Sequence, residues 1–175
     1  MTRRQILGFL SILGLGSRTA HAAGPTPGSA GTTSGAREPS TSGAREPLRL
    51  TDAQWKQRLS PAQYRVLRQE GTEAPGSSAL NGEKRRGTYL CAGCDLPLFS
   101  SDAKFESGTG WPSFHTALPD AVGTRTDFKL ILPRTEYHCA RCDGHQGHVF
   151  DDGPRPTGKR YCNNGVALRF EAAAS

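Results

Sequence analysis

Two Cys-x-x-Cys pairs constrain this chain more than any other feature. They are Cys91-Ala-Gly-Cys94 and Cys139-Ala-Arg-Cys142, and each continues with Asp. Two residues between cysteines let both thiolates of one turn face a single ion. Two such turns supply the tetrahedral sulfur set of a structural zinc, with Zn–S near about 2.3 Å and no position open to water. The 44 residues between Cys94 and Cys139 exceed the zinc-ribbon spacing of about 15–20, so an ion there would clip together two distant parts of the fold. Two other readings compete. An exported protein can form disulfides, although a bridge inside Cys-x-x-Cys closes a tiny loop and stabilises little. A thioredoxin-like redox pair calls for a βαβ context, which is missing. His145 and His148 follow Cys142 closely; as metal ligands they are the weaker choice, because four cysteines already fill a zinc site.

The exported reading comes from the start of the chain. Arg3 and Arg4 precede an apolar run of 11 residues, Ile6 to Gly16, and Ala20-His21-Ala22 has the small-x-small pattern of a cleavage site. Residues 1–22 therefore read as a secretory signal. Thr2-Arg3-Arg4-Gln5-Ile6-Leu7 also resembles a twin-arginine signal, an address read by a receptor, with an ordinary secretory signal as the alternative. The twin-arginine route carries folded proteins, so the cysteines could load a metal in the reducing cytoplasm before export. Residues 23–47 follow, rich in Gly, Pro, Ser and Thr, with Thr33–Ser40 nearly repeated as Thr41–Leu48. A segment with so few apolar side chains cannot offset its ordering entropy, and it reads as a tether. That tail accounts for a hydrophobic share of 35%, below the usual figure of about 45–50%. The net charge is +6; setting aside Arg3, Arg4 and Arg18 of the leader leaves +3. Such a mild excess does not demand nucleic acid or an anionic membrane. No run of 18 apolar residues exists to form a transmembrane helix.

The domain is expected over 48–171. Thr51 caps a short helix carrying Trp55 and Leu59. Ser60-Pro61 opens a second, with Tyr64 and Leu67 as its apolar face and Gly71 as its stop. Beyond Gly71, short apolar runs alternate with Gly, Pro and Asp: Thr88–Leu90, Phe128–Leu132, Thr135–His138, His148–Phe150 and Val166–Phe170. These predict strands. The expected class is mainly β, two antiparallel sheets with short N-terminal helices, stapled by zinc.

Cys162 is the fifth cysteine and the one left over. On a strand, Arg160, Cys162 and Asn164 share a face. A cation and an amide beside a thiol make a poor core, and a nearby positive charge favours the thiolate. The bland reading is a buried thiol packed as a small hydrophobe. Ser107-Gly-Thr-Gly-Trp-Pro-Ser-Phe114 sets Trp111 in a rigid turn, where it either faces a ligand or joins the core. Gly144-His-Gln-Gly-His-Val-Phe150 brings His145 and His148, residues suited to proton transfer near neutral pH. Asp151-Asp152-Gly153-Pro154 reads most simply as a turn.

Taken in order, Cys91-x-x-Cys94, Ser107-Gly-x-Gly-Trp-Pro-Ser-Phe114, Cys139-x-x-Cys142, Gly144-His-x-Gly-His-Val-Phe150 and Gly158-x-Arg-Tyr-Cys-x-Asn164 resemble the motifs of the B-type methionine-R-sulfoxide reductases. The resemblance covers about Leu50 to Phe170. It implies a small β fold, one structural zinc on Cys91, Cys94, Cys139 and Cys142, and thiol chemistry at Cys162. Cys162 would attack the sulfoxide sulfur. His145 and His148 would hold a water or deliver the proton, and Arg160 would lower the Cys162 pKa. Asn164 would orient the site, and Asp152 would bind a histidine or a water. Trp111, with Phe114, would bound the substrate pocket for the ε-methyl. The product on the enzyme is a sulfenic acid.

Two departures stand out. Many members carry a resolving cysteine where this chain has Thr109, which implies a one-cysteine cycle closed by an external thiol, thioredoxin-like or small. Gly165 replaces a common Ser. The expected partners are oxidised methionine in proteins and that thiol reductant. No nucleic acid or stable membrane insertion is expected, and the protein would be a monomer, periplasmic, or secreted from a cell with one membrane. The rivals are an exported zinc-ribbon binding module and a metal-stapled protein without catalysis. The first lacks a Lys/Arg stripe interleaved with aromatics; the second leaves Cys162 and the paired histidines without a use.

Overall fold

The computed structural model describes residues 46–130 and 132–174; the expected leader, and the tether up to residue 45, lie outside them. Two helices come first. Helix α1 spans Asp52–Arg58, with Thr51 and Gln54 forming a capping box that satisfies two end N–H groups. Helix α2 spans Pro61–Gln69 and starts the same way, on Ser60 and Gln63, with Pro61 in its first turn. Its left-handed cap is Glu70, at φ 53°, one residue before the expected stop. Gly71 then donates its N–H to the Arg65 carbonyl at 2.9 Å, which the Glu70 N–H also reaches, so one of the free carbonyls at the helix end is satisfied. Val66 and Leu67 carry the buried face. Tyr64 lies at its edge and hydrogen-bonds Asp52.

The strands are β1 (Gly87–Cys91), β2 (Pro97–Ser100), β3 (Lys104–Phe105), β4 (Ser113–Phe114), β5 (Val122–Asp127), β6 (Arg134–Cys139), β7 (His145–Phe150), β8 (Arg160–Asn163) and β9 (Leu168–Ala172). They form two antiparallel sheets, one ordered β2-β1-β9 and the other β3-β4-β8-β7-β6-β5. The mainly β, two-sheet class expected from sequence is the class observed. No described helix is long and apolar enough to cross a membrane.

Two expected strands differ. Phe128–Leu132 is not a strand: it connects β5 to β6, and Phe128, Leu130 and Leu132 are exposed. The strand lies just before it, in the polar stretch Val122–Asp127, where pairing with β6 supplies the order that its own side chains do not. Val166–Phe170 begins as a 3-10 turn over Gly165–Ala167 and becomes strand only from Leu168.

The core gathers aromatic residues between the sheets. Phe99 stacks on Phe114 at 4.2 Å, and Tyr89 meets Phe114 edge-on at 4.8 Å. Such pairs add about 0.5–1.5 kcal/mol each beyond their buried area. Helix α2 packs on β7. This covers one face of the centre of the larger sheet, where β7 lies beside β8.

Candidate functional site

The two Cys-x-x-Cys segments fold into matching turns at the ends of β1 and β6. The N–H of Asp95 bonds the Cys91 carbonyl at 2.8 Å, and that of Asp143 bonds the Cys139 carbonyl at 3.0 Å. Both aspartates are left-handed, φ 59° and 55°, a conformation Asp tolerates better than most residues. This is the physical sense of the Asp that follows each pair. Three arginines hold the turn carbonyls: Arg58 on Gly93 at 2.6 Å, Arg68 on Cys142 at 2.8 Å and Arg141 on Cys94 at 2.9 Å. The four sulfurs are buried and lie within 4.8 Å of one another. The closest pairs join the two turns, Cys94 with Cys139 at 3.4 Å and Cys91 with Cys142 at 3.7 Å. Tetrahedral Zn–S bonds of about 2.3 Å require sulfurs about 3.8 Å apart, so the cage fits a metal ion of that size. Neither histidine enters this cage; each has a carboxylate partner elsewhere.

Cys162 lies on β8 with its neighbours alternating as expected. Tyr161 faces the aromatic core, 5.2 Å from Tyr137, and Asn163 accepts from the Tyr137 hydroxyl at 2.6 Å. Cys162 faces the other way, into a cleft of about 130 Å³ that it lines with His148, Trp111, Phe150, Arg134 and Asn164. That is room for a small head group. His148 sits directly opposite Cys162 in the β7–β8 ladder, and Gly147 opposite Asn163. A Cβ on Gly147 would come within 1.9 Å of the Cys162 carbonyl oxygen, so only glycine lets the strands close there. Trp111 follows Gly110, whose φ of 91° suits glycine. Its indole N–H donates to the Glu73 carbonyl at 3.2 Å, which fixes the ring at the cleft.

Two carboxylates that sequence reasoning missed hold the histidines. Asp127, from the end of β5, meets His148 Nε2 at 2.7 Å and also accepts from Arg134 at 2.7 Å. Burial pushes the His148 pKa down, against the pull of Asp127, and the Arg134 charge adds to the fall. His148 is therefore neutral near pH 7. The second is Glu136. His145 is 2% exposed, and its Nδ1 pairs with Glu136 at 2.7 Å. Arg125 grips Glu136 as well, through Nε at 2.6 Å and Nη2 at 3.1 Å. Burial tends to raise the Glu136 carboxyl, but the hydrogen bonds of His138 and His145 and the Arg125 charge bring it down to about 2. His145 lies behind His148, ring centres 5.5 Å apart, and does not line the cleft. Its Nε2 is buried without a hydrogen-bond partner among the described residues.

Arg160 and Asp152 pair with each other, through two bonds of 2.8 Å, rather than Asp152 with a histidine. The guanidinium lies over the Phe150 ring at 4.4 Å. Burial pushes the Cys162 thiol above its ordinary value; the Arg160 charge beside it pulls it down but does not win. Arg160 lowers the Cys162 pKa as expected; what the sequence did not show is the desolvation that the cleft imposes, which outweighs it. Asn164 is buried. Its amide spans two backbones, donating to the Gln146 carbonyl at 2.9 Å and accepting from the Glu73 N–H at 3.0 Å. Phe114 is absent from the cleft. Adjacent residues on a strand point to opposite faces; Phe114 pairs with Tyr161 rather than Cys162 and is fully buried in the core.

The SelR domain model matches residues 59–172. Curated relatives named peptide methionine sulfoxide reductase MsrB align over the same region. That of Methanosarcina barkeri is 53% identical over 122 residues, 69% of this chain and 86% of the relative. That of Leptospira interrogans is 52% identical over 122 residues, 69% of this chain and 93% of the relative. That of Thiobacillus denitrificans is 55% identical over 121 residues, 69% of this chain and 92% of the relative. The matched region contains the four-sulfur cage and the cleft around Cys162, and so the chain belongs to the SelR family of MsrB-type peptide methionine sulfoxide reductases.

Proposed function

We propose that the chain reduces the R epimer of methionine sulfoxide in proteins through a sulfenic acid on Cys162, and that an external thiol restores it. The observation that carries this reading is the pairing of His148 with Cys162 across two strands, in one small cleft beside Trp111. At rest burial favours the neutral forms, a thiol at Cys162 and an imidazole at His148. The His148 Nε2–H is engaged by Asp127, which leaves Nδ1 as the base. It takes the Cys162 proton as sulfur attacks the sulfoxide sulfur. It then returns that proton to the sulfoxide oxygen. The oxygen leaves the substrate sulfur and bonds to Cys162 as the bond between the two sulfurs breaks, giving methionine and Cys–SOH. The substrate is reduced by two electrons, Cys162 is oxidised by two, and the proton is conserved. Proton transfer by a positioned group contributes about 10²–10⁴-fold.

Stereochemistry follows from the walls. The Trp111 and Phe150 rings offer an apolar side for the ε-methyl, while His148 offers a polar side for the oxygen. Only one epimer satisfies both while turning its sulfur to Cys162. Arg160, clamped by Asp152, opposes the desolvation of the sulfur, and Asn164 braces the cleft between two backbones. Regeneration needs two thiol equivalents. The first attacks the sulfenic sulfur, releases water and leaves a mixed disulfide; the second frees Cys162. With Thr109 in place of a resolving cysteine and four cysteines in the cage, both come from outside. Zinc on Cys91, Cys94, Cys139 and Cys142 would act as a structural clip between β1 and β6, with no part in the reaction. The basic, apolar leader supports export, so the repaired proteins would be exported ones.

The test is turnover of separated R and S epimers of a methionine-sulfoxide peptide with dithiothreitol, beside Cys162→Ser. Turnover of R alone, lost in the variant, is expected. An intact, metal-loaded protein that reduces neither epimer would overturn the proposal.

A further inference from the structure

Gln146 is a fully buried polar side chain on β7 with no part in the reaction as described. Its backbone carbonyl serves the cleft: it accepts from the Asn164 N–H at 2.8 Å and from the Asn164 side-chain amide at 2.9 Å. Its side chain runs to the sulfur cage instead. Nε2 lies 3.4 Å from Cys91 Sγ and 3.5 Å from the Gly144 carbonyl oxygen, and Oε1 lies 3.4 Å from Asn163 Nδ2. Among the described residues it is the one side-chain N–H that reaches a cage sulfur; Arg58, Arg68 and Arg141 bond the turn carbonyls.

The neighbours decide which way this amide points. The Asn164 carbonyl can only accept, so Asn163 turns its N–H to it, at 2.8 Å, and its oxygen to the Tyr137 hydroxyl, at 2.6 Å. The same Asn163 nitrogen faces Gln146, which must answer with its oxygen. Gln146 Nε2 is then left toward Cys91 and the Gly144 carbonyl, a second group that can only accept. A donor is thus aimed at Cys91 by partners on both sides of the amide. Four thiolates outweigh the charge of a divalent ion, so a loaded cage is an anion. A buried charge needs donors aimed at it, and a hydrogen bond to an ion is about twice as strong as one between neutral groups.

We infer that Gln146 is a positioning residue of the metal cage, whose amide N–H donates to the Cys91 thiolate and tightens the hold on the ion. The inference rests on the zinc clip of the proposed function and not on the chemistry of Cys162. It is tested by metal binding, without a sulfoxide.

The experiment loads the full chain with zinc and measures its affinity by competition with a chromogenic chelator, for wild type, Gln146→Met and Gln146→Leu. Both variants lose the N–H, while Asn163 keeps its bonds to Asn164 and Tyr137. Removing an outer-shell partner of a metal ligand costs about 10–100-fold in affinity, so both variants should bind zinc at least about tenfold more weakly. The cobalt form gives a second readout. A hydrogen bond stabilises the sulfur lone pairs that donate to cobalt, so its loss should move the sulfur-to-cobalt charge-transfer band to lower energy in both variants. In wild type loaded with cadmium-113, the Gln146 amide protons should couple to the metal through the N–H···S bond, a measurement that needs no variant. Equal affinities would overturn the inference. So would weaker binding with an unmoved cobalt band, a change in only one variant, which would trace to shape, or no coupling in the wild type. A chain that binds none of these metals would overturn the zinc clip and this inference together. Failure of sulfoxide reduction alone would strike the proposed reaction, while the metal measurements still decide this inference.

Discussion

Replacing Glu136 by Gln keeps the volume and removes the charge from the most buried carboxylate of the site, 2% exposed. In the folded chain its carboxyl lies at about 2 against an ordinary 4.5, despite the burial that raises it, because His138, His145 and Arg125 favour the anion. A difference of about 2.5 units at 1.36 kcal/mol each amounts to about 3 kcal/mol of stability at neutral pH. A group whose folded pKa is depressed gives its stability above its unfolded value and loses it as pH falls through the folded one. The contribution is therefore complete above pH 4.5 and fades toward pH 2. Urea titrations of wild type and Glu136→Gln, both metal-loaded, should differ by about 3 kcal/mol at pH 7. The gap should shrink steadily below about pH 5 and vanish only near pH 2. Comparing the two proteins at each pH cancels the acid sensitivity of the four-sulfur cage, which both share. The variant should melt roughly 10 °C lower. A gap below about 0.5 kcal/mol at pH 7, the range of ordinary surface substitutions, would refute the reasoning. So would a gap of constant size down to pH 3, since the charge would then not be its source.

Asp127→Asn should lower kcat/KM about tenfold, a partial loss of general acid-base assistance. Removing a carboxylate that pulls the His148 pKa up lets it fall further, so the acid limb of the pH–rate profile should move to lower pH. An unmoved limb would exclude His148 from proton transfer. Metal analysis should find one zinc per chain, and a chelator or Cys94→Ser should unfold the domain, because binding to such a site is folding energy; a native circular dichroism spectrum without metal would refute the clip. Phe114→Ala should cost about 3–5 kcal/mol in a denaturant titration, as a core aromatic does. Trp111→Ala should instead raise KM with a much smaller loss of stability, and reversed effects would put the wrong aromatic at the cleft.

Much of the site was legible because it is built from short spacings. Cys-x-x-Cys fits one turn, the run from Gly144 to Phe150 fits one strand, and Arg160 and Cys162 share a face by alternation. The capping boxes at Thr51 and Ser60 are equally local. Reading Phe128–Leu132 as a strand failed for the opposite reason. Its apolar residues are exposed on a connection, while polar Val122–Asp127 is ordered by its neighbour β6.

The sequence by itself marked out the cysteines of the sulfur cage, singled out Cys162 and pointed to the family, because ligand type and local period depend on neighbours along the chain. Only the tertiary structure decided who serves the histidines. Asp127 reaches His148 across 21 residues and Glu136 reaches His145 across 9, contacts set by the register of β5, β6 and β7. It also assigned Asp152 to Arg160, sent Phe114 to the core, and raised the Cys162 thiol despite a nearby guanidinium. Each of these depends on how far water is excluded around a group and on which partner a neighbouring strand presents. Both are properties of packing between elements, on which residue spacing along the chain carries no information.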